Sequence, residues 1–594
     1  MVLKSRWSFD IPQVSLPTYL FDSPTADLPK TPALISAKDP EKYYLSIHTY
    51  RLYGQRLAAG LLRAGLKPGE RVLLFSGNTL FFPTVMIGII MAGGIYTGAN
   101  PTYVARELAY QLKDSGAKYL LCAEGSIDTG IAAAQEAGLP ASSVFVFDDG
   151  VATFEGRTVE KHAPALGGTI RHWTTLLASE AEGRAYAWPD LRTPAELDTV
   201  IALNYSSGTT GLAKGVMITH KNYVSNSAQQ MWMSMISADY EERRARVRHL
   251  CFLPMYHALS QSVFCVNAPK MRLPVYVMPK FDFVEMLQYI QAYRITDLVL
   301  VPPVIVAMAK HPAVKKFDLS SVEKVGSGAA PLGREIAEEF EKLWADRSVN
   351  VKQGWGMTEL TCAATTSDPN KISRDGAVGE LLPNCEAKIV LDDEGKVEAP
   401  QGERGEVWVR APNVMKGYWR KPEATAETIT ADGWLKTGDI AYVDEENEFH
   451  VVDRKKVRSL AAPLVFPPNT TVGRGTADKN QELIKVKGLQ VAPAELEALL
   501  LDHPAVQDVA VIGVMLSGEE LPRAYIVPQT PTQATPQVAE TIKAWLAERV
   551  SRAKRLDGGV VFVEAIPKNP SGKILRRELR EKAQAEAAGA KAKL

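Results

Sequence analysis

Val200-Ile201-Ala202-Leu203-Asn204-Tyr205-Ser206-Ser207-Gly208-Thr209-Thr210-Gly211-Leu212-Ala213-Lys214-Gly215-Val216 sets a short apolar run against a turn rich in glycine and hydroxyls. Val200–Asn204 is bounded by turn residues, which predicts a buried strand. Glycines let successive backbone N–H groups converge on one anion, and the Ser/Thr hydroxyls add further donors. Lys214 adds a positive charge. The stretch therefore predicts a phosphate-holding loop. It is not a Walker A loop, because Gly215 rather than Ser or Thr follows the lysine.

Outward from this loop, strand-like runs alternate with amphipathic stretches. Arg71–Phe75, Tyr119–Cys122, Val144–Phe147 and Leu298–Val301 read as strands, and Tyr50–Ala64, Ala105–Ser115 and Phe283–Arg294 as helices. That alternation predicts an α/β fold with largely parallel sheets. Residues 151–197 are polar and weakly periodic, which predicts loops and short elements. Strand signals return over Ala387–Val409 and Glu448–Val452. After Pro493 the order is helix, strand, strand, helix, ending in a charged, Ala-rich tail.

At 594 residues the chain is too long for one ordinary core. Lys plus Arg equals Asp plus Glu, 68 each, so no global basic field marks it as a nucleic-acid binder. Cys122, Cys251, Cys265, Cys362 and Cys385 are scattered and form no C-x-x-C pair, as in a reduced, intracellular protein. The N-terminus lacks the apolar run of a secretory signal. Leu80–Ala99 carries no charge and is long enough to span a bilayer, but Pro83 and its four glycines favour a buried helix running into a buried strand.

Further motifs suit nucleotide chemistry. Gly326-Ser327-Gly328-Ala329-Ala330-Pro331 is small enough for a flat ring to lie close to its backbone. In Gln353-Gly354-Trp355-Gly356-Met357-Thr358-Glu359, Trp355 offers a flat face and Glu359 a hard oxygen ligand for Mg²⁺. Asp439, in Trp434-Leu435-Lys436-Thr437-Gly438-Asp439, is a carboxylate that can accept two hydrogen bonds. Lys573, in Pro567-Lys568-Asn569-Pro570-Ser571-Gly572-Lys573, is a positive charge on a loop framed by proline and glycine.

Taken together and in this order, these motifs resemble the adenylate-forming (AMP-binding) superfamily, and among its branches the 4-coumarate–CoA ligase-like acyl-CoA synthetases. The resemblance covers nearly the whole chain. It implies a large N-terminal domain, 1–453, of two α/β sheets plus a small distorted β-barrel. A hinge at 454–456 and a smaller, mobile α+β C-terminal domain, 482–594, would follow. It implies ATP, Mg²⁺ and coenzyme A as cofactors and a small carboxylic acid as substrate. Ser206, Ser207, Gly208, Thr209, Thr210, Gly211 and Lys214 would grip phosphate. Gly328, Ala329, Gln353, Gly354, Trp355 and Gly356 would surround adenine, with Thr358 at the α-phosphate and Glu359 on the metal. Asp439 and Arg454 would hold ribose, and Lys456 would be the hinge residue. Lys485, Gln490 and Lys573 would serve adenylation, and Lys487 and Gly488 thioester formation with CoA. Tyr256, His257, Leu259, Gly328, Ala329, Gly354, Gly356 and Cys362 would line the acyl pocket. His257 is expected to act there as a wall and gate. The pocket's small or apolar character suits an aryl-propenoic, arylacetic or medium-chain acid.

One departure from the family pattern stands at the hinge. Val457–Gln481 separates Asp453-Arg454-Lys455-Lys456 from Glu482-Leu483-Ile484-Lys485-Val486-Lys487-Gly488, and its Pro/Gly/Thr content reads as loop. Removing it joins the two motifs without a gap. Valine codons begin with GT and glutamine can be CAG, the two ends of a spliceable intron, so residues 457–481 are expected to be an unremoved intron. The last residues, Ala592-Lys593-Leu594, resemble a peroxisomal address read by the import receptor, which predicts a peroxisomal rather than cytoplasmic location. Two rival functions remain: an adenylation enzyme that loads a carrier protein, and a nucleotide-binding protein inactivated by the hinge insertion. No carrier module follows Lys573.

Overall fold

The structure, a computed structural model, describes residues 2–149, 161–206, 212–329, 332–344, 349–373, 376–454, 484–487, 489–516, 518–567, 574 and 576–591. The chain divides into two compact units. The larger takes in Met1–Ser206, Lys214–Thr437 and Ala441–Val452, and the smaller takes in Ser207–Ala213, Gly438–Ile440 and Asp453–Leu594.

Two nine-stranded sheets form the larger unit. The first runs, edge to edge, Gly417–Tyr418, Lys214–Thr219, Val200–Ser206, Ile95–Ala99, Arg71–Phe75, Ala117–Ala123, Val144–Phe147, Gly168–His172 and Lys161–Ala163. From Val200–Ser206 to Gly168–His172 every pairing is parallel, and the outer pairings are antiparallel. The second sheet is likewise parallel through its middle, from Val351–Trp355 across to Pro32–Ser36. Parallel neighbours need crossover connections, which the intervening helices supply. A third sheet of five strands begins with Leu3–Lys4 and includes Glu386–Val390, Gly405–Arg410, Leu435–Val443 and Phe449–Arg454.

The uncharged stretch resolves as a helix, Phe82–Met91, followed by the strand Ile95–Ala99, and every residue of both is buried. A helix apolar all round belongs inside a large core. It crosses the helix Ile47–Arg63 closely: a Cβ on Gly88 would lie 3.0 Å from the Gly54 carbonyl oxygen and from Leu57 Cβ. Among the described residues no helix is long and apolar enough to cross a membrane. The described part of 151–197 holds only short elements, such as Lys161–Ala163 and Glu180–Ala185.

In the smaller unit, the hairpin Ile484–Val486 and Leu489–Val491 precedes a three-stranded sheet, Val506–Leu516, Glu519–Pro528 and Gly559–Phe562. Leu496, Val509, Val511, Ile526, Ile542 and Leu546 form its core. The third strand, Gly559–Phe562, lies between two helices where periodicity shows only the helical pattern. Its four residues are all half-buried, so they carry no alternation to detect. The Ala-rich tail is helical over Arg576–Lys591. Residues 592–594 lie outside the described residues.

Candidate active site

The predicted phosphate loop joins two antiparallel strands, Val200–Ser206 and Lys214–Thr219, and Ser206 pairs directly with Lys214 across its base. The crown, Ser207 to Gly211, lies outside the described residues. Its flanks are firmly held. Tyr205 donates its hydroxyl to Asp114 Oδ2 at 2.7 Å, and Lys421 Nζ pairs with Asp114 Oδ1 at 2.9 Å. Burial, then the adjacent Asp114 carboxylate, pushes the Tyr205 phenol far above its ordinary value, which keeps it a donor.

Glu359 sits on a single short turn, Thr358–Leu360, and is buried. Its Oε1 accepts hydrogen bonds from Ser206 Oγ and from the Tyr418 hydroxyl, each at 2.9 Å. Lys214 Nζ lies 4.7 Å from the centre of the Tyr418 ring. A buried carboxylate at the base of a phosphate loop suits Mg²⁺, which takes one or two carboxylates and fills its remaining positions with substrate oxygens and water. Among the described residues no group of three His, Cys, Asp or Glu side chains could form an all-protein metal cage.

Thr358 lines a cavity shared with Gly98, Asn204, Tyr256 and His257. Asn204 is 3% exposed and its amide polarity follows from its neighbours. Gln261 donates Nε2 to the Tyr256 carbonyl, so its Oε1 accepts the Tyr223 hydroxyl at 2.6 Å. Tyr223 has then used its proton and accepts from Asn204 Nδ2, leaving Asn204 Oδ1 buried without a hydrogen-bond partner among the described residues. His257 stands at the cavity's edge and caps the following turn. Tyr256 and Leu259 are half-buried beside it.

Ser327 ends the strand Lys324–Ser327 of the second sheet and pairs in parallel with Gln353, and Gly328 and Ala329 follow it. Ser327 Oγ is buried and unpartnered among the described residues, and Ala329 holds φ +70°, a left-handed conformation that is strained outside glycine. A Cβ on Gly356 would fall 1.9 Å from the Cys362 carbonyl oxygen, so only glycine fits there. An orphaned hydroxyl and small residues make a cradle suited to a flat base. Trp355 is 9% exposed and packs in the core, so most of its ring serves packing.

Asp439 is buried on the strand Leu435–Val443, and Arg454 ends the neighbouring strand, Phe449–Arg454. In the smaller unit, Lys485 and Gln490 are register partners across the hairpin, and Lys487 occupies its turn at φ +49°. Lys456, Gly488 and Lys573 lie outside the described residues, as does the whole of 457–481. Sequence reading overlooked Tyr418 and Asn204. Tyr418 follows a glycine in an ordinary-looking Gly-Tyr-Trp-Arg run, and nothing local to it points to Glu359.

Residues 21–419 match the AMP-binding enzyme family, and residues 495–573 match the AMP-binding enzyme C-terminal domain. The chain is 35% identical over 589 residues to a phenylacetyl-CoA ligase of Aspergillus niger, covering 98% of this chain and 99% of that one. It is 36% identical over 543 residues to a 4-coumarate–CoA ligase of Petroselinum crispum, covering 89% and 88%. Among solved structures, ATP-bound MatB from Rhodopseudomonas palustris matches with a TM-score of 0.60 at 26% identity, over 96% of this chain and 98% of that one. The amide bond synthetase McbA of Marinactinospora thermotolerans shares the fold, with a TM-score of 0.75 at 24% identity over 96% and 99%. Fold and site thus define an enzyme of nucleotide-dependent acid activation. The chain belongs to the AMP-binding enzyme family.

Proposed function

We propose that this chain is an ATP-dependent acid–CoA ligase acting on an aromatic acid of the phenylacetic or 4-coumaric type. The observation that carries the reading is the buried Glu359 carboxylate, joined by Ser206 to the base of the phosphate loop. The relatives named as phenylacetyl-CoA and 4-coumarate–CoA ligases support the acid class.

In the first half-reaction a carboxylate oxygen attacks the α-phosphorus of ATP. The new O–P bond forms as the bond to pyrophosphate breaks. The loop Ser206–Lys214 holds the departing phosphates, Thr358 meets the α-phosphate, and Lys573 offsets the repulsion between the two anions. Asp439 and Arg454 hold the ribose. Glu359 would hold Mg²⁺, whose chemistry there would be the neutralisation of phosphate charge. In the second half-reaction the CoA sulfur attacks the acyl carbonyl, the thiol proton is lost, and the C–O bond to AMP breaks. Lys487 and Gly488 serve this step.

Pyrophosphate release from ATP, measured with a panel of aryl-propenoic, arylacetic and aliphatic acids, tests the reading. Release that yields an acyl-CoA only when CoA is present is expected. Release with transfer to a carrier protein but not to CoA would make the enzyme a carrier loader. ATP binding without any release would make it an inactivated nucleotide binder.

The C-terminal Ala592-Lys593-Leu594 supports a peroxisomal location, with the import receptor as partner. A fluorescent protein carrying the last ten residues should collect in peroxisomes, and a diffuse signal would refute this.

A further inference from the structure

The phosphate loop and Glu359 are far apart in sequence, and one side chain touches both. The Tyr418 hydroxyl donates to Glu359 Oε1 at 2.9 Å, while its ring lies beneath Lys214 Nζ at 4.7 Å. Ser206, opposite Lys214 at the base of the loop, gives Glu359 Oε1 its second hydrogen bond. One carboxylate oxygen thus receives two donors among the described residues, which orients the carboxylate.

Tyr418 is well placed to hold that geometry. Gly417–Tyr418 pairs with Val216 and Met217 on the outer side of the loop hairpin. The Tyr418 amide donates to Thr425 Oγ1 at 2.9 Å, and the Trp419 amide donates to the Gly215 carbonyl at 2.8 Å. The Glu359 carbonyl accepts from the Met415 amide at 2.8 Å, tying the acidic turn to the same segment. The phenol is 7% exposed, so no water competes freely for its proton. A hydrogen bond from a buried donor orients a ligating carboxylate, and loss of such a partner typically costs about 10–100-fold in metal affinity.

We propose that Tyr418 is a positioning residue: it sets the orientation of Glu359 toward the divalent metal of the nucleotide complex and couples it to Lys214 of the phosphate loop. The inference rests on the reading of Glu359 as the metal ligand. It assigns Tyr418 no contact with substrate.

The test uses the full-length chain, an unreactive ATP analogue and Mn²⁺ followed by its electron paramagnetic resonance signal. Tyr418→Phe removes the hydroxyl and keeps the ring under Lys214. It should weaken Mn²⁺ binding in the nucleotide complex by about 10-fold. The half-saturating Mg²⁺ of pyrophosphate exchange should rise in parallel, KM for the acid should change less than about twofold, and excess Mg²⁺ should restore the rate. Tyr418→Leu also removes the ring and should in addition weaken binding of the nucleotide itself. Unchanged Mn²⁺ binding in Tyr418→Phe overturns the proposal, as does a rate loss that excess Mg²⁺ does not relieve. Glu359→Gln separates the two levels of the reading. If it leaves Mn²⁺ binding unchanged, the metal-ligand assignment falls. If it weakens binding while Tyr418→Phe does not, only the positioning role falls.

Discussion

Arg576 and Glu497 form a buried ion pair in which one guanidinium nitrogen, Nη2, sits 2.6 and 2.5 Å from the two carboxylate oxygens. Glu497 Oε1 also accepts the Val511 amide at 2.8 Å, and Arg576 Nε donates to the Val511 carbonyl at 3.2 Å. The pair therefore ties the helices Pro493–Leu500 and Arg576–Lys591 to the edge strand Val506–Leu516. Both side chains are almost fully buried, so each depends on the other for its solvation.

Removing one partner strands a charge. Arg576→Met should destabilise the smaller unit by about 3–5 kcal/mol, whereas Arg576→Met with Glu497→Leu should cost far less. Chemical denaturation of the single and double variants measures this. Equal losses would place the energy in packing rather than in the charge.

Lys573 stands three residues before Arg576 in sequence. Lys573→Ala should abolish pyrophosphate release, yet leave thioester formation from a supplied acyl-adenylate within a few-fold of the parent. Single-turnover assays of each half-reaction give the answer. Equal loss of both would contradict the division of roles.

Excision of 457–481 restores the continuity of the two hinge motifs. A positioning group moved by about 1 Å can cost about 10²-fold in rate. The excised protein should therefore form acyl-adenylate up to about 100-fold faster than the full chain. A shorter chain with no gain would mean the insertion is tolerated. Sequencing of the mature transcript tests separately whether these codons are an intron.

His220 Nδ1 accepts the Leu16 amide at 3.0 Å, and burial pushes its pKa down to about 4 from the ordinary value of 6.5. Between these values the unfolded chain binds a proton that the folded chain refuses, so this contribution to stability falls as pH drops through that window. Each pKa unit is worth about 1.4 kcal/mol. From about pH 7.5 to 4.5 the parent should lose about 2–3 kcal/mol more stability than His220→Gln, whose amide oxygen can still accept from Leu16. Denaturation curves at the two pH values decide it, and parallel losses would refute it.

Much of the site is legible as local pattern. The turn between Val200 and Val216 announces itself because glycine, hydroxyls and lysine follow an apolar run within a few positions. Leu80–Ala99 announces burial by the absence of charge. Glu359 is visible because its neighbours form a recognisable motif. Tyr418 is not, because its function lies in a hydrogen bond to a residue 59 positions away. The third strand of the smaller unit is hidden for a similar reason: its parallel partner, Glu519–Pro528, comes earlier in the chain and is joined to it through a helix.

The amino-acid sequence by itself determined the α/β class, the order of the nucleotide motifs and the burial of the uncharged stretch. These follow from side-chain periodicity and backbone freedom, which act over a few residues. Only the tertiary structure decided that Ser206 and Tyr418 meet on one oxygen of Glu359, that His220 accepts from Leu16, and that Arg576 neutralises Glu497. Each is a hydrogen bond or ion pair between distant segments. Its partners are chosen by sheet order and helix packing, which no local run of residues encodes.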